Sequence, residues 1–451
     1  MNVLVVGSGG REHAIAWKIA QSDDVEKVVC VPGNGGTATE KKCVNIEIKD
    51  CKYITENENP YVCIAKNEQC DMVVIGPEDP LAEGLSDCFW NAGIPCIGPK
   101  KDGAQLEASK NTSKEFMKKY GVACAESKTF SDKNAAQEYI RQHGAPLVVK
   151  ADGLAAGKGV VVAATVEDAL NAVSDLMEGG RVGSAGKTLV IEDYLEGVEI
   201  SVLCAVSVTK EFTDAGKSTI VPFLPSRDHK RLYDGAKGPN TGGMGAVCPL
   251  SDVTEEIMEQ FKTDCLLPTL RGMQEEGFDY RGFIFFGIMI TKDGPKVLEY
   301  NVRLGDPETQ AVLPLMDFDF VDMCRTIVNG SLNSFTFKWK SGFQVAPVVV
   351  SGGYPASYQK GKAITFDNAT IDKSDAKIFI AGANLDNQEN SKGLVTTGGR
   401  VLACSAFGKT FEEARKNAYL AVNAVSFQDA FFRTDIGLPG AAESNAIPKS
   451  K

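Results

Sequence analysis

Short apolar runs, each ending in a glycine-rich turn, punctuate the start of the chain. Residues 3–6 lead into Gly7-Ser8-Gly9-Gly10, residues 28–31 into Pro32 and the glycines at 33, 35 and 36, residues 72–75 into Gly76-Pro77-Glu78, and residues 94–97 into Gly98-Pro99. Helical spacing separates them, through Ala14, Ile15, Trp17 and Ile19 and again over 85–92. Continuous apolar runs of this length read as buried strands, and strand followed by helix at this rhythm predicts a parallel, doubly wound sheet. Ligands of such sheets sit beyond the carboxyl ends of the strands, where these glycine turns gather.

The middle of the chain changes period. A helix ending at 116–120 precedes strands at 147–150, 160–163 and 189–191, which predict a smaller α+β unit, and 200–208 reads as a further strand. Residues 282–290 and 296–300 predict a hairpin around Lys292-Asp293-Gly294-Pro295, because Asp-Gly between apolar runs marks a turn. From about residue 338 the pattern is mostly β, with strands at 344–350, 377–381 and 401–405, and then a helix over 411–422. The expected fold class is therefore α/β and α+β multidomain with a mostly-β C-terminal part. The small, polar residues that close the chain predict a loose tail.

A chain of 451 residues has room for about three domains. Its 43% hydrophobic and 24% charged residues are ordinary for a globular protein. The net charge of −11 argues against nucleic acid and against an anionic membrane as partners, since both repel an acidic surface. No stretch approaches the roughly 18 apolar residues of a membrane span, and MNVLVVGSGG reads as a strand and turn with none of the parts of a secretory leader. Thirteen cysteines without a C-x-x-C pair, beside only three histidines, exclude zinc spacing and predict reduced thiols in a cytoplasmic protein.

Gly7-x-Gly9 after the opening strand resembles the start of a dinucleotide fingerprint. The third glycine position, however, is Glu12, and the second strand ends in Pro32 without the acid that grips a ribose. What remains is a helix N-terminus whose free N–H groups suit a phosphate or carboxylate, with Arg11 as a charge-assisted contact.

The segment Leu298-Glu299-Tyr300-Asn301-Val302-Arg303 carries more chemistry. Residues two apart on a strand share a face, so Glu299 and Asn301 project together, as would Arg303 if the strand continues. A carboxylate beside an amide oxygen suits Mg²⁺ when phosphates and water complete its shell, and an arginine alongside suits a transferring phosphoryl group. The loop from Gly153 to Gly159 lacks P-loop spacing but can form a flap over phosphates, with Lys158 as a point charge and Lys150 and Lys110 as further contacts. Glu192-Asp193-Tyr194-Leu195 follows an apolar strand and can offer backbone groups to an adenine edge, while Glu199 suits ribose hydroxyls. The stretches 227–231 and 238–245 mix charge with four glycines, which predicts a functional loop. His229 within it reads as a structural or substrate-contact group more than a general base.

These segments, in this order, resemble the phosphoribosylamine–glycine ligases of the ATP-grasp superfamily. The run Arg303-Leu304-Gly305-Asp306-Pro307-Glu308-Thr309-Gln310 is similar to that family's signature, as are residues 7–13, Gly76-Pro77-Glu78, residues 150–159, 228–231, 238–245 and Gly352-Gly353-Tyr354-Pro355. The resemblance implies a Rossmann-like N-terminal domain (1–105), an ATP-grasp domain (106–331) with a lid subdomain at about 124–192, a C-terminal domain (332–437) and a tail (438–451). It implies Mg²⁺ or Mn²⁺ on Glu299 and Asn301, and ATP contacts from Lys110, Lys150, Glu192, Asp193, Tyr194, Leu195, Glu199, Arg231 and Asn240. Substrate contacts fall to Gly9, Gly10, Arg11, Gly33, Asn34, Glu78, Asp228 and Arg303, with Arg303, Lys150 and Lys158 as the catalytic charges. Glycine, 5-phosphoribosylamine and ATP are the implied small-molecule partners, and the implied state is a monomer or weak homo-oligomer. The alternatives are another ATP-grasp carboxylate–amine ligase or carboxylase, or a non-catalytic ATP-binding protein. Asp79, Val302 and Leu304 stand where many relatives have alanine, cysteine and phenylalanine.

Overall fold

The computed structural model describes residues 1–51, 58–154, 159–180, 182–386 and 393–441. The opening run, Asn2–Gly7, is the central strand of a five-stranded parallel sheet, flanked by Lys27–Pro32 and Cys43–Asn45 on one side and by Met72–Ile75 and Cys96–Ile97 on the other. The predicted doubly wound N-terminal unit is present, and its glycine turns lie together at the carboxyl ends of the strands.

The predicted hairpin is longer than its apolar core suggested. Tyr280–Thr291 pairs antiparallel with Gly294–Asn301, and Val198–Val208 and Thr219–Pro222 extend the same sheet to four strands. Gly98 and Gly282 let this sheet press backbone to backbone on the exit of the parallel sheet, where the Gly98 N–H donates to Arg281 O at 2.8 Å. A Cβ on Gly282 would sit 2.9 Å from the Gly98 backbone, so a side chain there would push the two sheets apart.

A second antiparallel sheet, in the order Ser127–Phe130, Leu189–Asp193, Leu147–Ala151, Val160–Ala163, packs against the helices Lys133–His143 and Val166–Met177. It has its own core of Ile140, Val149, Val173, Leu189 and Ile191, separate from the large cores beneath the other sheets. A unit with its own core holds its shape while moving as a body against its neighbours.

The C-terminal sheet departs from the sequence expectation. Its strands Phe343–Val350, Arg400–Gly408 and Lys377–Ile380 come from the expected β region, but Gly245–Cys248 and Arg227–Asp228 join its other edge. The segment expected to be one loop is thus built from short strands, including an exposed ribbon of Arg231–Tyr233 against Lys237–Asn240. Arg433, fully buried, fastens that ribbon: its guanidinium bonds Asp435 at 2.8 and 2.9 Å, Arg231 O at 3.0 Å and Ala441 O at 2.8 Å.

The N- and C-terminal units meet at Asn34 and His13. Asn34 Nδ2 donates to Ser8 O, Gly9 O and Ile380 O, and its Oδ1 accepts from the N–H groups of Gly36 and Thr37. His13 Nδ1 accepts from the Ile380 N–H at 2.8 Å, and Glu40 bridges His13 to Lys377. All thirteen cysteines are free, and among the described residues no helix is long and apolar enough to cross a membrane. Because one buried amide carries five hydrogen bonds, three of them fully buried, Asn34→Ala should lower the unfolding free energy by about 2–4 kcal/mol, measured by urea denaturation.

Candidate active site

Glu299 and Asn301 do share a face. Tyr300 between them turns the other way, buried to 2% exposure with its hydroxyl 2.6 Å from Thr269 Oγ1. The pairing register slips beside Gly287, which leaves Leu298 without an opposite residue, and the Leu298 carbonyl accepts from Lys150 Nζ at 3.2 Å. The strand ends at Asn301, so Arg303 does not continue it as expected. Arg303 reaches the same place by the turn that follows, placing Nη2 3.0 Å from Asn301 Oδ1 and 2.9 Å from Glu107 Oε1, with Nε 3.2 Å from Glu78 Oε2.

Burial opposes the charge on Glu299, but Lys230, Lys150, Lys110 and Arg303 surround it and together hold the carboxyl below its usual range. Among the described residues no side chain donates a hydrogen bond to it. Asn301 Nδ2 is likewise buried with no partner among the described residues. The unengaged carboxylate of Glu299, beside an Asn301 Oδ1 that keeps a second lone pair after accepting from Arg303, fits a divalent cation. Among the described residues no cluster of three or more His, Cys, Asp or Glu is placed to hold a metal, so phosphates and water would complete such a shell.

Lys150 and Lys114, both 6% exposed, grip Glu192 from two sides, at 2.9 and 3.0 Å. Two buried cations on one carboxylate leave a net positive charge at the mouth of the lid, suited to nucleotide phosphates. Lys110 opens the helix Lys110–Tyr120 and donates to Gly153 O at 2.9 Å, at the root of the glycine flap. Residues 155–158 of that flap, Lys158 among them, lie outside the described residues. Asp193 faces outward to His143 at 3.1 Å, and Tyr194 and Leu195 lead away from the strand. Glu199 is ion-paired with Lys230, and Arg231 and Asn240 are cross-strand neighbours on the exposed ribbon.

The first glycine turn holds a carboxylate that the sequence reading did not place. Glu12 Oε2 accepts from the Gly9 N–H at 2.5 Å, and its Oε1 takes Arg11 Nε at 2.6 Å. The chain's own carboxylate therefore caps the Gly9 N–H, reaching back one turn in a capping geometry, and leaves the first-turn N–H groups that follow without an acceptor among the described residues. Gly7 and Gly76 make room for it, since a Cβ on either would collide with the Glu12 side chain. Arg11 is buried against Glu12 and Leu304 O, 3.7 Å from Glu78, and Asn34 has its amide fully engaged.

A cleft of about 350 Å³ remains beyond that turn, lined by Ser8, Gly9, Gly33, Asp306, Thr397 and Arg400 among others. Gly10 lies beside it, packed on Gln310 and Ala381. Arg400 binds Asp306 Oδ2 at 3.0 Å and Asp306 O at 2.7 Å, and also holds the Gly242 carbonyl, while Tyr354 Oη accepts from the Gly242 N–H at 2.8 Å. Sequence reasoning missed Arg400, Thr397 and Glu107, for which no local pattern existed. It also missed Lys114, which one helical turn from Lys110 could have disclosed.

Between cleft and cation pair stands Asp228, whose buried Oδ1 has no partner among the described residues. Burial, with Glu308 facing it, pushes this carboxyl well up against the pull of Lys230 and Arg400. His229 next to it is structural: Nδ1 lies 3.1 Å from Gly245 O and Nε2 accepts from the Gly437 N–H at 3.0 Å.

An α/β N-terminal sheet, a lid sheet and a long antiparallel hairpin that close on a carboxylate–amide pair ringed by lysines define an ATP-grasp ligase. Family models match along the chain: the phosphoribosylglycinamide synthetase N domain over residues 1–107, its ATP-grasp (A) domain over 108–309 and its C domain over 344–439. The chain belongs to the phosphoribosylglycinamide synthetase family, and it is an ATP-binding carbon–nitrogen ligase. It is 46% identical over 437 residues to a phosphoribosylamine–glycine ligase of Clostridium acetobutylicum, covering 97% of this chain and 99% of that one. The crystal structure of a phosphoribosylamine–glycine ligase from Thermotoga maritima superposes with a TM-score of 0.78 at 34% identity, covering 96% of this chain and 100% of that one. A biotin carboxylase domain from Hydrogenobacter thermophilus, 16% identical with a TM-score of 0.68 and covering 95% of this chain and 91% of that one, shares the fold.

Burial, then the charge of Arg433, lowers His229 to about 4 from its ordinary 6.5. The unfolded chain then binds a proton that the folded one refuses, so stability falls as pH drops through this window. Unfolding free energy should decrease by about 2 kcal/mol for this histidine between about pH 7 and about pH 5, and His229→Asn should flatten that slope in denaturant titrations.

Proposed function

We propose that this enzyme joins glycine to 5-phosphoribosylamine with ATP, giving glycinamide ribonucleotide, ADP and phosphate in purine biosynthesis. The observation that carries the reading is Glu299 and Asn301 on one strand face, ringed by Lys110, Lys150, Lys230 and Arg303. The named relatives, phosphoribosylamine–glycine ligases by description, support the substrates. The domain division 1–105, 106–331 and 332–437 belongs to the same proposal, with Gly245–Cys248 and Arg227–Asp228 lent to the C-terminal sheet.

In this mechanism a glycine carboxylate oxygen attacks the γ-phosphorus of ATP, the bond to the β-phosphate oxygen breaks and ADP leaves. The amine nitrogen of phosphoribosylamine then attacks the acyl carbon of glycyl phosphate, loses a proton and expels phosphate. Mg²⁺ or Mn²⁺, held by Glu299 and Asn301, would draw negative charge from the terminal phosphates. Lys150, Lys158, Lys110 and Arg303 add positive charge there, and the lid excludes water from an intermediate that hydrolyses readily. Glu192, Asp193, Tyr194 and Leu195, with Glu199, Arg231 and Asn240, border the nucleoside end.

The 350 Å³ cleft, with Gly9, Gly33 and Arg400, suits the phosphoribosyl group, and Glu78 lies at its inner side through Arg303 and Arg11. Glycine must lie between cleft and cation pair, and it brings the one ammonium group among the substrates. Asp306 is already paired with Arg400 and Glu308 with Ser201 Oγ at 2.8 Å. Asp228 Oδ1, buried with no hydrogen-bond partner among the described residues, is the acceptor offered to the ammonium, whose charge would draw the raised carboxyl back to its ionised form. A monomer or weak homo-oligomer belongs to the same proposal, and thirteen free thiols suit a reducing, cytoplasmic setting.

ADP release should require ATP, glycine and freshly generated phosphoribosylamine together; bicarbonate-dependent turnover without glycine would instead indicate a carboxylase. Glu299→Ala should reduce kcat by about 100-fold or more with the thermal midpoint little changed, and near-native turnover at saturating Mg²⁺ would refute the metal assignment. Asp228→Asn should raise KM for glycine about tenfold while KM for ATP stays put, the loss of one charge-assisted hydrogen bond.

A further inference from the structure

Arg303 is held by two carboxylates of different kinds. Glu78, on the helix Glu78–Glu83, is one-third exposed at its side chain and also leans toward Arg11. Glu107, in the last turn of the helix Lys101–Ala108, is 9% exposed and spends both oxygens on the end of the metal-pair strand. Its Oε1 takes Arg303 Nη2 at 2.9 Å, and its Oε2 accepts from the Val302 N–H at 2.7 Å. One carboxylate thus grips the backbone between Asn301 and Arg303 and the guanidinium itself. The same Nη2 reaches Asn301 Oδ1 at 3.0 Å, so the orientation of that amide passes through Arg303 to Glu107.

We propose that Glu107 is a positioning residue for the ligation step, fixing Arg303, and Asn301 through it, beneath the strand end. The inference rests on the ligase reading for its kinetics and stands apart from it in structure. A buried carboxylate on a helix behind the site touches no substrate; its work is to stop the guanidinium swinging toward the isolated Glu299 carboxylate when ATP is absent. Bidentate gripping suits this, because the two acceptors fix the guanidinium plane against the chain's own backbone. Glutamine at this position keeps the size and can still accept from Val302, but it turns an N–H toward Arg303, where an oxygen is needed.

The test is a double-mutant cycle with Glu107→Gln, Arg303→Lys and the pair together. Glu107→Gln should lower kcat by about 30-fold, with KM for ATP and the calorimetric affinity for ADP within about threefold of wild type. In the Arg303→Lys background the same change should have less than about a threefold effect, because the group through which it acts is gone. Additive losses, an unchanged kcat, or a kcat loss matched in full by a lost folded fraction would each overturn the proposal. A crystal structure of Glu107→Gln should show Arg303 displaced from Asn301; unmoved contacts would overturn it without any appeal to turnover. Wild-type enzyme that releases no ADP with glycine and phosphoribosylamine would refute the ligase reading, leaving the structural arm to decide for Glu107.

Discussion

The guanidinium of Arg303 is where three distant parts of the chain are made to agree. Glu78 arrives from the end of a parallel strand, Glu107 from a helix that leaves the N-terminal sheet, and Asn301 from the last residue of the long hairpin. A guanidinium offers five donors in one plane and keeps its charge when buried, so it can satisfy all three at once. Removing any acceptor would strand a buried donor, and removing the arginine would strand two carboxylates. The relation between the N-terminal sheet and the Glu299–Asn301 face is thereby set by chemistry that also serves the site.

Charge is balanced unevenly around that point. On the substrate side, Glu299 carries no hydrogen bond from the described side chains while four cations surround it. On the lid side, Lys114 and Lys150 share Glu192. At the seam, Asp228 Oδ1 is buried with no hydrogen-bond partner among the described residues. In the proposed reaction each imbalance would meet a substrate charge: phosphates for the lysines, a divalent cation for Glu299 and an ammonium for Asp228. A protein that binds three charged molecules in sequence keeps such local deficits because each is settled only when a ligand arrives.

The fold was legible where backbone demands and side-chain patterns coincide. Apolar runs ending in glycine disclosed the parallel sheet, and alternation disclosed the shared face of Glu299 and Asn301. The first glycine turn was read without Glu12, because a glycine cluster says that space is needed without saying what fills it. Glu12 fills it, and only the packed structure shows the carboxylate folding back over Gly9. Arg400 and Thr397 were silent for a different reason. Arg400 joins the cleft from the first residue of a strand whose sheet contacts the N-terminal unit through Asn34 and His13, Thr397 joins it from the turn just before, and no local period records such a contact.

The order of apolar runs and turns, together with the carboxylate and amide two residues apart, determined by sequence alone the elements of this protein and the chemistry of its central strand. These are local properties, fixed by strand period and residue type. The tertiary structure decided which charges meet: that Glu107 lies under Arg303, that Lys114 joins Lys150 on Glu192, and that residues 227–248 complete a sheet begun a hundred residues later. Such pairings join groups far apart along the chain, and a buried charge finds its partner only when the packing of whole sheets has brought the two together.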